Sequence, residues 1–285
     1  MVAPTAAFFL VFCYMPMAGL LIAFKELFLG VGPLHSPWVG LDNFHRLLDS
    51  PDFTRSVVNT VVIGGLKFLA GFAAPIVLAL SLNEVRSNGY RRSIQTLVYL
   101  PYFFSWVILG GIFLMLFSGD GPINGLIRAS GHSPVAFLSD PSWFLSVLVV
   151  TSVYQSAGYG AVIYLAALAG IDPHLYEAAS VDGAGRWRQV RSITLPGLAP
   201  TIVVLMILTL GNVLNAGFDQ IYNMVNPVVY ASADIIDTYA LRRMFDMDYG
   251  LATATGLFKS GASLVLVASA NALARRVTRG EQGLW

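Results

Sequence analysis

Long apolar runs set the pattern of this chain; neither alternation at period two nor a narrow helical stripe does. Residues 1–24, 93–119, 141–171 and 192–218 contain no charged side chain. Residues 56–82 and 251–274 carry one lysine each, Lys67 and Lys259. A helix crosses the hydrocarbon core with about 20 apolar residues, so the pattern predicts an all-α integral membrane protein with six transmembrane helices. The alternation that a membrane β-barrel requires is missing. The first run lacks a basic leader and a small-residue cleavage site, and it is too long for the apolar part of a signal peptide. It reads as a true first span, and its missing basic flank points to a short tail ahead of Met1.

The loops between these runs give the orientation. Arg86, Arg91 and Arg92 lie in 83–92, Arg186, Arg188 and Arg191 in 172–195, and Arg275, Arg276 and Arg279 in the tail. The alternate loops hold Lys25, Arg46 and Arg55 in 25–55, Arg128 in 118–140, and Arg242 and Arg243 in 219–250. The basic excess, nine against six and in fewer residues, marks the cytoplasmic side. Both termini are therefore expected in the cytoplasm.

Composition narrows the class further. Of 285 residues, 56% are hydrophobic and 12% charged, about half the charge of an average soluble domain. A soluble globule of this composition would expose large apolar patches. A net charge of +1 leaves no footprint for nucleic acid. The single cysteine, Cys13, sits in an apolar run and excludes a disulfide framework. His35, His45, His132 and His174 all fall in loops without ligand spacing, so no metal site is expected.

The loop at 172–196 carries the most specific chemistry. Asp172 is placed to cap a helix whose first residue is Pro173. Gly183 supplies the positive-φ position that ends it. A second short helix should follow and stop before Pro196, which opens the next span. The product is a helix–turn–helix along the membrane surface, with small alanines on one face and Glu177 at its centre, suited to a cleft on another protein. The plain alternative is a solvated amphipathic connection.

The string Glu177-Ala178-Ala179-x-x-Asp182-Gly183-Ala184, followed by Ile193-x-Leu195-Pro196, resembles the EAA signature of ABC importer permeases. The likeness extends along nearly the whole chain. It is similar to the maltose-type oligosaccharide family, and within it to the polysaccharide-type subgroup that includes alginate importer permeases. Supporting residues are Tyr14-x-Pro16-Met17-x-Gly19, Ala23-Phe24-Lys25, Ser36-Pro37-Trp38-Val39-Gly40-Leu41-x-Asn43-Phe44, and Asn59-Thr60. Tyr99-Leu100-Pro101, Gly256-Leu257-Phe258-Lys259-Ser260, Asn271 and the closing Gly283-Leu284-Trp285 complete them. Val190 departs from the aromatic found in many relatives and should alter only local packing.

The resemblance implies one permease domain over 1–285 with its coupling loop at 172–196. Glu177, Ala178, Ala179, Asp182 and Gly183 would seat in the groove of an ATP-binding subunit. It implies a second homologous permease, a dimer of ATP-binding subunits that holds ATP and Mg, and an extracytoplasmic substrate-binding protein. No cofactor is expected in this chain, and ATP hydrolysis belongs to the partner. The implied location is the bacterial inner (plasma) membrane, and the implied cargo an oligosaccharide such as a uronate-containing one. The nearest approach to a phosphate loop, Gly256 to Ser260, has Phe258 where glycine is needed and lies inside a span.

Polar groups inside spans are costly unless they face a cavity or a partner. Asn212 and Asn215, three apart and so on one helical face, with Tyr154, Gln155, Tyr159 and Asp219, form the candidate substrate lining. Equally, such amides serve as hydrogen-bond partners between helices. Lys67 near mid-span and Lys259 nearer the outer end read either as attractors of uronate carboxylates or as partners of a carboxylate or carbonyl on the second permease. The 219–250 loop, rich in Asp, Arg and Tyr, suits docking of a binding protein or packing as a surface helix. A stand-alone secondary transporter or channel is the rival reading. It calls for interrupted helices in matching halves, which the sequence does not announce. An integral-membrane enzyme would need clustered His, Asp or Glu at membrane depth, which the pattern lacks.

Overall fold

Proline and glycine decide where the apolar runs stay straight and where they break. The structure, a computed structural model, describes residues 2–28, 30, 32–85 and 87–277. Met1, Arg86, Arg279 and the closing Gly283, Leu284 and Trp285 lie outside the described residues. In chain order the principal helices are α1 (Val2–Phe24), α2 (Asp42–Leu48), α3 (Pro51–Asn83), α4 (Asn88–Phe103), α5 (Trp106–Leu116) and α6 (Pro122–Ala129). They continue as α7 (Pro141–Ala169), α8 (Pro173–Val181), α9 (Arg186–Leu210), α10 (Phe218–Met224), α11 (Ile236–Phe245) and α12 (Tyr249–Val277). Among the described residues extended pairing is confined to an isolated bridge between Lys25 and Trp38. By length and composition α1, α3, α7, α9 and α12 can each cross a membrane, and α4 with α5 can make a sixth crossing as a bent pair.

Two of the six expected spans are not the straight rods predicted. The 93–119 run folds as α4 and α5, bent by 104° between Phe103 and Trp106. Pro101 draws the end of α4 into a 3-10 turn, Phe104 is extended, and Ser105 takes the conformation of a helix N-cap. The 192–218 run ends early, at Leu210, where Gly211 caps the helix. A single 3-10 turn, Val213–Asn215, follows, and then Ala216 and Gly217 adopt φ of +45° and +79°. Asn212 and Asn215 therefore do not share one face of a continuous α-helix; they sit in the break. Interrupted helices, which the apolar pattern conceals, are thus present.

The expected stop before Pro196 is also absent. Proline inside a helix clashes with the carbonyl four residues back. Here the turn Val190–Thr194 is a π turn, with the Leu195 N–H on the Val190 carbonyl. The wider loop moves the obstructing carbonyl aside, and α9 runs unbroken from Arg186 into the membrane. The same device precedes Pro16, where Leu10–Tyr14 is a π turn closed by Met15 N–H on Leu10 O.

Contacts divide the chain into two compact units. One comprises the chain to Val61 together with Asp234–Val265. Its core gathers Ala23, Leu47, Phe53, Tyr239, Leu251 and Ala254, with the Phe53 ring 5.5 Å from Tyr239 and 5.1 Å from Phe258. Asn43 Nδ2 donates to the carbonyls of Ala23 and Lys25, both at 3.0 Å, and closes the end of α1. The acidic groups of 234–250 are all paired inside this unit: Asp234 with Arg242, Asp237 with Lys259, Asp246 with Arg243 and Asp248 with Arg46. Lys259 holds both carboxylate oxygens of Asp237 at 2.7 Å, so its carboxylate comes from this chain and not from a partner.

The second unit comprises Val62–Ala233 with the chain from Leu266. Its core gathers Ala79, Ala161, Tyr164, Leu168 and Leu198. Small residues let its helices meet backbone to backbone, as membrane interfaces favour. A Cβ on Gly158 of α7 would collide with the Val98 carbonyl of α4, and one on Gly160 would lie 2.9 Å from the Pro75 ring of α3.

Candidate functional site

Two features of the second unit stand out, a protruding helix and a cavity. The protruding helix is α8. Asp172 caps it through its side chain, which accepts from His174 N–H at 2.9 Å, and Pro173 opens it. It ends where Gly183 turns at φ +75°, a conformation that costs a residue with a Cβ. None of its nine residues is buried. The Glu177 side chain is 72% exposed, with His174 Nδ1 at 3.2 Å. The knob is nonetheless held firmly. Tyr176 Oη lies 3.0 Å from Thr194 Oγ1, Gln189 Nε2 donates to Ser180 Oγ at 2.9 Å, and Arg186 pairs with Glu84 at 3.2 Å. These contacts tie it to α9 and to the turn that follows α3.

The cavity, of about 370 Å³ and open to one side, is walled by α3, α4, α7 and the break after α9. Along α3, Gly64, Lys67, Gly71 and Pro75 face it; along α7, Ser152, Ser156, Tyr159 and Gly160 do. Each set follows helical spacing, so a single face of each helix lines the space. Tyr102 stacks on Tyr159 with ring centroids 4.0 Å apart. Lys67 sits at the middle of the 33-residue α3, about 24 Å from either end at 1.5 Å per residue. Its ammonium donates to the Ala216 carbonyl at 2.6 Å. A backbone carbonyl freed by a helix break at membrane depth requires such a donor, and the expected partner on a second permease is here supplied by the same chain. Beside it, Gln220 Nε2 donates to Leu148 O at 2.8 Å and Thr151 Oγ1 at 2.7 Å, which pins α10 to α7.

The predicted lining residues separate on this geometry. Tyr159 and Asn212 line the cavity. Asn215 is tied to Asn212, its Nδ2 donating to Asn212 Oδ1 at 3.0 Å, and is itself outside the lining. Tyr154 lies on the other side of α7 with its ring edge toward Phe113, 5.8 Å away. Gln155 Nε2 donates to Phe104 O at 3.3 Å and so satisfies the carbonyl opened by the α4–α5 bend. Asp219 is exposed in the first turn of α10, where its carbonyl accepts from Asn223 at 2.7 Å. Tyr102, Ser152, Ser156 and Thr209 are lining residues that the sequence reading passed over. The recurrence of small or polar residues with Lys67 and Tyr159 at helical spacing was the available signal.

Comparison with known proteins fixes the class. Residues 71–279 match the family described as binding-protein-dependent transport system inner membrane component. Protein LplB of Bacillus subtilis (strain 168) is 44% identical over 275 residues, covering 96% of this chain and 86% of that one. The polygalacturonan/rhamnogalacturonan transport system permease protein YteP of the same organism is 41% identical, covering 100% and 89%. A bacterial alginate ABC transporter, crystallised in complex with its alginate pentasaccharide-bound periplasmic protein, contains a chain 40% identical to this one. That chain superposes with a TM-score of 0.91, covering 100% of this chain and 95% of its own length. The stand-alone transporter and enzyme readings are thereby set aside. With its helical architecture and whole-length likeness to sugar permeases, the chain belongs to the family of inner membrane components of binding-protein-dependent ABC transport systems.

Proposed function

We propose that this chain is the permease subunit of an importer for acidic oligosaccharides. It acts as one permease domain over 1–285, with both termini and the 172–196 loop on the cytoplasmic side. In this reading α8 is the coupling helix. Glu177, Ala178, Ala179, Asp182 and Gly183 seat in a groove of an ATP-binding subunit, which itself holds ATP and Mg and performs the hydrolysis. A second homologous permease occupies the other groove of the ATPase dimer, and a substrate-binding protein delivers the saccharide from outside. Asn212 and Tyr159 contact the passing sugar, with Asn215 orienting Asn212. Tyr154, Gln155 and Asp219 lie off the cavity.

The observation that carries the coupling role is that α8 has no buried residue and is yet braced by hydrogen bonds to α9. A helix capped at both ends and stripped of core contacts is built to be gripped by another protein. The acidic cargo is supported by the names of two full-length relatives, one for polygalacturonan and rhamnogalacturonan and one for alginate. Reconstitution of this chain with its partner permease, ATPase and binding protein in proteoliposomes tests both. Oligogalacturonate or oligoalginate should stimulate ATP hydrolysis and accumulate inside. Stimulation by neutral oligosaccharides alone would refute the cargo assignment.

A further inference from the structure

The cavity of the second unit holds a charge that the coupling role does not use. Among the described residues lining it, Lys67 alone is charged, and the hydroxyls of Ser152, Ser156 and Thr209, the amide of Asn212 and the rings of Tyr102 and Tyr159 share the walls with glycine and apolar residues. An ammonium carries three donors. One is spent on the Ala216 carbonyl, and the ammonium makes no other hydrogen bond among the described residues. A charge held in mid-membrane by a neutral carbonyl is only partly compensated, and such residues mark the path of a complementary solute. The geometry also tethers the ammonium at the helix break. A Cβ on Gly217 would stand 2.6 Å from Nζ, so glycine there is what lets the lysine reach the break. In the same lining the stacked pair Tyr102 and Tyr159 offers an aromatic face against which the apolar side of a sugar ring can lie.

We propose that Lys67 is the specificity residue for the carboxylates of the transported saccharide. A uronate ring passing along Tyr159 presents its carboxylate to the two remaining ammonium donors, while Asn212 and Thr209 are within the same lining for its hydroxyls. The charge-assisted contact favours the acidic sugar over its neutral ester. This inference rests on the acidic-oligosaccharide reading above.

The test compares tetragalacturonate with its methyl ester in proteoliposomes of the complete importer. Its readout is the ratio of saccharide-stimulated ATPase, kcat/KM for acid over ester. The binding protein's own preference cancels between wild type and variant. Lys67→Gln, which keeps a donor for the Ala216 carbonyl, and Lys67→Met should each lower the ratio about tenfold, and Lys67→Arg should largely restore it. Equal losses on both substrates, with the ratio unchanged, would mean that the ammonium only props the helix break and would overturn the proposal. Should neither neutral variant co-purify with its partners, Thr209→Asp places a carboxylate on the same cavity and leaves Lys67 intact. The ratio should again fall, and an unchanged ratio overturns the assignment. A wild-type importer that ignores tetragalacturonate and responds to neutral saccharides refutes the cargo reading itself, whatever the variants do.

Discussion

Replacing Gly217 by alanine measures what the contact at the helix break is worth. Gly217 has φ +79°, where a side chain costs about 1–2 kcal/mol. The added methyl would stand 2.6 Å from Lys67 Nζ. That atom is the tip of a flexible chain and can withdraw by about an ångström, so the collision itself is cheap. Withdrawal, however, abandons the 2.6 Å bond to the Ala216 carbonyl, and a hydrogen bond to a charged group contributes about 1.5–3 kcal/mol. The total loss for Gly217→Ala is then about 2.5–5 kcal/mol. Only the hydrogen-bond share depends on the lysine. In a double-mutant cycle with Lys67→Met, the two losses should fall short of additivity by about 1.5–3 kcal/mol. The assay is equilibrium unfolding of the purified complex in mixed micelles titrated with a denaturing detergent, read for wild type, both singles and the double. Losses that add to within about 0.5 kcal/mol would show that the alanine does not act through the ammonium, and the account of the break would be wrong.

Three further outcomes are expected. Glu177→Lys should leave the subunit inserted and assembled on detergent extraction but abolish substrate-stimulated ATP hydrolysis; transport at normal rates would remove Glu177 from the coupling contact. Asn212→Ala with Asn215→Ala should weaken uptake several-fold without disturbing co-purification, and unchanged uptake kinetics would take both amides out of the pathway. Asp237→Asn leaves Lys259, whose side chain is 16% exposed, without its carboxylate and should cost about 2–3 kcal/mol in the same detergent titration, below the fully buried limit because water reaches the pair. Lys259→Met added to it should recover part of that loss; a double variant no better than Asp237→Asn would show the pair to be idle.

The sequence made the membrane class and the helix of the 172–196 loop legible for different reasons. Apolar runs of membrane length are a local property, so the candidate spans could be marked from the sequence itself. Asp172, Pro173 and Gly183 act on their own backbone, and α8 appears with the ends that those residues specify. The breaks were hidden because their causes are not local. Ala216 adopts φ +45° with no glycine to announce it, and its carbonyl is satisfied by a lysine 149 positions away in sequence. Pro196 looked like a stop signal, but the preceding turn could widen to accommodate it. The cavity was half visible: Asn212 and Tyr159 were found by residue type, whereas Ser152, Ser156 and Tyr102 acquire meaning only when α3, α4 and α7 are assembled around Lys67.

The π turn at Val190–Thr194 sets more than the survival of a helix past a proline. Such a turn takes in roughly one residue more than an α turn, and each residue of a helix advances its azimuth by about 100°. The bearing of α8 about the axis of α9 is thus fixed by a single inserted residue. Thr209, where α9 meets the cavity, keeps toward α8 the angular relation that this one residue dictates.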